Sequence, residues 1–297
     1  MKDDFNSYPL TGWFPGHMFK ATKNMAEALK LIDLVVELVD ARAPLSTRNP
    51  ELRRLLSAKP FLIVANKADL ASPAVSKEWA AWCQAQGIRI HFLDSRRKTN
   101  VSSLLALWRK IVLDERSARG VTRPLLRPVR ILIAGVPNVG KSTLVNHLCE
   151  RTRAQIGPKP GVTRSNQWIP ISGGIELLDT PGILWPRIRE KKHELLLALL
   201  GIFKDELIPQ ELLASFLAWK LEECKYRIDW PAFGLAASPE TEEELLGGIA
   251  TRRGFLKPGG HPDFTRAAIS FIKDFRDGRL GRISFEAPPA NSEVTDA

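Results

Sequence analysis

Gly135-Val136-Pro137-Asn138-Val139-Gly140-Lys141-Ser142 sets two glycines, a lysine and a hydroxyl at the spacing G-x-x-x-x-G-K-S/T, a pattern suited to gripping a polyphosphate. The glycines let the backbone curl so that amides from Asn138 to Thr143 point inward, and a helix starting there adds its positive end. Lys141 then reaches the β and γ phosphates as the catalytic cation, and Ser142 sets its hydroxyl on Mg2+. A second constellation, Asn66-Lys67-Ala68-Asp69, fits N-K-x-D. A carboxylate at Asp69 accepts two hydrogen bonds, matching N1–H and the exocyclic amino group of guanine. Adenine lacks that donor pair and would leave the carboxylate unpaired. Asn66 and the Lys67 stem orient and cover the base, and the backbone amide of Ser95 is expected to meet guanine O6.

Two weaker signals complete a triphosphate site. Asp179-Thr180-Pro181-Gly182 fits D-x-x-G, with Asp179 holding Mg2+ through water and the Gly182 amide bonding the γ phosphate. Thr163, in Pro160-Gly161-Val162-Thr163, is the candidate switch threonine that closes the Mg2+ shell. Ile183 stands where many GTPases carry a water-orienting glutamine. Intrinsic turnover should therefore be slow.

The motifs stand in an unusual order. The guanine motif precedes the phosphate loop, as circular permutation of a GTPase domain would leave it. The elements that must position them follow the βαβ rhythm of a doubly wound, mostly parallel sheet. Strands are expected at 33–40, 61–65, 88–93 and 129–134, with a hairpin from 167–171 and 175–178. Helices are expected at 49–57, 76–86, 101–114 and 141–150, with a linker at 115–128. Beyond 190 the strand patterns stop, and helices are expected at 192–204, 209–224, 240–250 and 263–277. In the last of these, Phe264, Ala267, Ala268, Phe271, Ile272 and Phe275 recur at helical spacing. The resulting division is an α/β P-loop domain over 1–190, a smaller all-α domain over 191–286, and a disordered tail over 287–297.

Composition narrows the partners. Of 297 residues, 44% are hydrophobic and 26% charged, with a net charge of +10, which points to a polyanionic partner. No apolar run reaches the roughly 20 residues of a membrane span, and the N-terminus resembles neither a signal nor a transit peptide. Three scattered cysteines argue for a reducing cytoplasm rather than a disulfide or zinc framework. Arg276, Arg279 and Arg282 are the candidate contacts to the phosphates of such a partner.

Together with Trp13-Phe14-Pro15-Gly16-His17-Met18, Asp40-Ala41-Arg42-Ala43-Pro44 and Asp274 to Arg282, these motifs resemble the YlqF/RbgA ribosome-biogenesis GTPases over nearly the whole chain. The resemblance implies a large-subunit assembly factor that binds GTP and GDP, whose hydrolysis is stimulated on the ribosomal particle. It implies a role in hydrolysis for His17 and a K+ site at Asn138. The expected partners are the large ribosomal subunit or its precursor and rRNA, with no membrane or DNA, and a monomer away from the particle. Asp94-Ser95-Arg96-Arg97 departs from the family's Ser-Ala-Lys in the guanine contact. Two other classes stay open: an RNA-modifying enzyme, and a module that uses GTP structurally.

Overall fold

β1 (Leu34–Asp40, LVVELVD) is buried at every position, as a strand covered on both faces and flanked on both edges must be. Its parallel neighbours are β2 (Phe61–Asn66) and β4 (Val129–Ala134). β2 pairs in parallel with β3 (Ile90–Leu93), and β4 with β6 (Ile175–Leu178). β5 (Trp168–Ile171) closes the edge as an antiparallel hairpin with β6. The resulting order is β3-β2-β1-β4-β6-β5. Val35, Val39, Ile63, Ala65, Leu132 and Leu178 meet in one apolar cluster of this sheet. In this computed structural model the described residues are 4–11, 30–49, 52, 59–156, 168–178, 188, 190–202 and 207–289. The expected helix at 49–57 lies largely outside them.

The helices begin and end where local chemistry allows. α1 (Pro73–Ala85) starts with proline at its first position, and the Ser72 side chain accepts from the Val75 amide. α2 (Lys98–Ala118) outruns the expected linker start by four residues, because Glu115 to Ala118 are good helix formers and Gly120 supplies the first stop. α3 (Lys141–Ile156) follows the phosphate loop.

The described residues fall into two compact units, and the division differs from the expected one. The α/β unit ends with residues from Glu286 onward. There the Leu45 amide donates to the Glu286 carboxylate at 2.7 Å, and the Trp79 indole donates to the Glu286 carbonyl at 2.9 Å. Residues 4–11 belong instead to the helical unit, which runs to Phe285. Phe5 packs edge-on against Phe216 at 5.3 Å, an anchor that short-range sequence pattern cannot reveal.

That unit contains α4 (Lys191–Leu199), α5 (Gln210–Glu223), α6 (Glu242–Arg253) and α7 (Phe264–Arg276). Lys191 and Glu194 form a buried ion pair at 2.7 Å, and Glu194 also accepts the Thr11 amide at 3.0 Å. On α7 the expected apolar stripe is buried at Ala267, Ala268, Phe271, Ile272 and Phe275 and half-buried at Phe264, while Arg266, Ile269 and Lys273 face outward.

Candidate nucleotide site

Parallel strands deliver the loops that follow them to one edge of the sheet, the usual place for a ligand in an open α/β fold. The guanine motif follows β2, Ser95 follows β3 and the phosphate loop follows β4. Asn66 ties all three together. From the end of β2, only 1% exposed, its Nδ2 donates to the Val139 carbonyl at 2.7 Å. Its Oδ1 accepts the Ser95 amide at 3.0 Å. Residues 66 and 139 are thus joined although 73 positions separate them.

The phosphate loop can take its shape only with glycine at both ends. Gly135 has φ +147°, and a Cβ there would sit 2.3 Å from the Leu38 carbonyl oxygen. Gly140 has φ +100°, and a Cβ there would sit 2.2 Å from Asn66 Nδ2. Pro137 and Asn138 form the outer bend, with Asn138 itself left-handed at φ 58°. Val139 is buried, Asn138, Ser142 and Thr143 are exposed, and Lys141 lies between these extremes. Lys141 Nζ folds across the loop and donates to the carbonyls of Gly135 at 2.9 Å and Val136 at 2.7 Å. Burial lowers its pKa to about 8, since the charged form loses hydration.

Lys67 adopts a left-handed conformation, φ 59°, which turns the chain out of β2. Its ammonium lies 3.0 Å from Asp40 Oδ2. Asp40 is fully buried, and Arg42 grips it through Nε at 2.9 Å and a terminal nitrogen at 2.8 Å. Burial raises the Asp40 pKa, but the charges of Arg42 and Lys67 outweigh it and hold the carboxyl well below the usual range. The Asp-Ala-Arg segment noticed only through resemblance is thus the foundation of Lys67.

Asp69 sits in the turn that follows. The Ala68 amide donates to the Leu93 carbonyl at 3.0 Å, bringing the loops after β2 and β3 together. Asp69 Oδ2 is bonded by the Arg96 guanidinium, whereas its buried Oδ1 has no partner among the described residues. Two contributors carried no mark in the sequence pattern. Arg96 registered only as a departure from the expected Ser-Ala-Lys, and His147, on α3, was not singled out. A His147 ring nitrogen lies 2.6 Å from the Ser95 carbonyl.

His17, Thr163, Asp179, Gly182 and Ile183 lie outside the described residues. Among the candidate rRNA contacts, Arg276 is engaged within the fold. Its Nε donates to the Leu199 carbonyl at 3.0 Å and a terminal nitrogen to Ala198 at 2.7 Å. Those are carbonyls at the C-terminal end of α4, where a cation also meets the favourable end of the helix dipole. Arg279 pairs with Asp274 at 2.9 Å and Asp277 at 3.1 Å, yet its side chain remains 62% exposed. Arg282 is exposed.

Residues 130–211 match the family described as 50S ribosome-binding GTPase. Ribosome biogenesis GTPase A of Bacillus pumilus is 41% identical over 279 residues, covering 93% of this chain and 98% of that protein. Mitochondrial ribosome-associated GTPase 1 of Xenopus tropicalis is 33% identical over 304 residues, covering 95% and 96%. The crystal structure of GNP-bound YlqF from T. maritima superposes with a TM-score of 0.63 at 30% identity, covering 91% of this chain and 98% of that one. Such matches run through both units, in the order that puts the guanine motif before the phosphate loop. The chain belongs to the ribosome biogenesis GTPase A family, with the circularly permuted GTPase fold of YlqF.

Proposed function

We propose that this GTPase holds GTP between the Asn66–Asp69 turn and the phosphate loop, and that nucleotide state times its stay on the large ribosomal subunit or a precursor. The observation that carries the reading is the Asn66 bridge, which joins the base-recognition loop to the phosphate-binding loop. Asp69 takes the guanine edge and the Ser95 amide region takes O6. Lys141 exchanges two loop carbonyls for β- and γ-phosphate oxygens, whose negative charge favours its ammonium form.

Ser142 offers an exposed hard oxygen at the start of α3, the donor type Mg2+ takes alongside substrate phosphates. Asp179 and Thr163 complete the set that would hold the ion, and Gly182 the γ-phosphate contacts. Mg2+ there would neutralise charge on the β and γ phosphates. With Ile183 unable to orient water, hydrolysis is slow until the particle helps position His17. Asn138 is the candidate K+ contact, and equal turnover in Na+ and K+ buffers would reject it.

The chain's +10 charge and the exposed Arg266, Lys273, Arg279 and Arg282 on and after α7 support docking on rRNA phosphates. No helix among the described residues is long and apolar enough to cross a membrane. The cytoplasm is proposed separately, as the compartment of the proposed ribosomal partner. The test is sedimentation with large ribosomal subunits in a GTP analogue and in GDP, beside multiple-turnover rates with GTP and ATP. Stronger co-sedimentation with the analogue and subunit-stimulated turnover of GTP alone are expected. Equal use of ATP, or binding indifferent to nucleotide, would overturn the reading.

A further inference from the structure

We infer that His147 is a positioning residue for base recognition: from the helix that grips phosphate, it holds the Ser95–Arg96 peptide in the orientation the guanine contact needs. The inference rests on the reading of the Ser95 loop as the place where guanine O6 meets the backbone. That loop is a turn, closed where the Arg97 amide donates to the Asp94 carbonyl at 3.1 Å. Its two middle residues, Ser95 and Arg96, share a peptide that belongs to no strand or helix. The central peptide is the part of a turn that rotates between the common turn types, so its partners decide its orientation.

Those partners come from three places. The Ser95 amide donates to Asn66 Oδ1 at the end of β2, and the Arg96 amide to Asp94 Oδ1, both at 3.0 Å. The Ser95 carbonyl meets His147 Nδ1 at 2.6 Å. A carbonyl only accepts, so that ring nitrogen carries the hydrogen. Ser95 is 4% exposed, and water is a poor substitute for the imidazole there. In a trans peptide the carbonyl and the following amide point opposite ways, so holding the one aims the other.

His147 stands in the second turn of α3, the helix that opens with Lys141 and Ser142. The base loop is therefore tied to the phosphate site twice, by Asn66 through the phosphate loop and by His147 through the helix behind it. Guanine presents a carbonyl at position 6 where adenine presents an amino group. A backbone donor kept in place there favours guanine, and a loosened turn gives that advantage up.

The experiment measures equilibrium binding of GDP and of pyrophosphate to the full chain, comparing wild type, His147→Leu, His147→Asn and Asp69→Ala. His147→Leu should bind GDP about three- to tenfold more weakly, the worth of one hydrogen bond, while pyrophosphate affinity stays within about 1.5-fold. His147→Asn, whose amide nitrogen can stand where Nδ1 stood, should recover most of the GDP affinity. A role in filling space predicts the reverse, because leucine fills the site better than asparagine. Asparagine no better than leucine, or equal losses for GDP and pyrophosphate, would overturn the positioning role. So would unchanged GDP affinity in His147→Leu beside a clear loss in Asp69→Ala. Unchanged GDP affinity in Asp69→Ala would instead remove the base-site reading on which the inference rests.

Discussion

Replacing Asn66 with alanine tests whether one amide side chain holds both halves of the nucleotide site. Asn66 is 1% exposed, and its two polar atoms serve partners on different loops, Val139 at 2.7 Å and Ser95 at 3.0 Å. Both of those residues are buried. The truncation therefore strands one carbonyl and one amide with no water to replace the lost partner. Each such orphan costs about 1–3 kcal/mol. Because the two share one small cavity, their costs are not additive, and a loss of about 3 kcal/mol is expected for the pair. Chemical denaturation should show it as a lower midpoint at unchanged slope.

The same variant should bind GDP at least tenfold more weakly, and it should lose affinity for pyrophosphate as well, since Val139 lies in the phosphate loop. That second loss distinguishes a bridge from a simple base contact. Asn66→Asp keeps an acceptor for the Ser95 amide but turns a carboxylate toward the Val139 carbonyl, so it should be no better than alanine. Wild-type stability together with unaltered pyrophosphate binding would refute the reasoning.

Three further outcomes follow from the geometry. Gly135→Ala places a methyl 2.3 Å from the Leu38 backbone oxygen at a φ that L-residues avoid; it should cost more than about 2 kcal/mol in denaturation and abolish nucleotide binding. The pKa of Lys141, about 8 without phosphate, should rise when phosphates bind, so binding takes up a proton above that pH. GDP affinity measured by calorimetry should be flat below pH 7 and fall by up to about tenfold per unit above pH 8, and Lys141→Met should lack that slope. Arg276→Ala should lower thermal stability by about 1–2 kcal/mol, through the lost carbonyl bonds at the end of α4, with little effect on particle binding. Charge reversal at Arg279 and Arg282 should weaken sedimentation with ribosomal subunits and flatten its salt dependence.

Much of this protein was legible in one dimension because its chemistry is local. A phosphate loop is a run of consecutive amides, so eight residues specify both its shape and its ligand. Continuous apolar runs marked the central strands, which are covered on both faces, and a period of 3.6 marked the buried face of α7, since a helix buried on one side repeats at that spacing. The inverted order of the two motifs announced a permuted domain. Folding decided which distant groups meet. That Asn66 bridges Val139 and Ser95, that Asp40 seats Lys67, that Arg96 lies on Asp69 and that Phe5 anchors among distant helices are long-range pairings, and no residue spacing encodes them. Arg276 makes the difference plain. Read along the chain it is one cation in a basic run, while in the fold its guanidinium is spent on two helix-end carbonyls. Charge is a property of composition, but the availability of that charge depends on which partners the tertiary structure supplies.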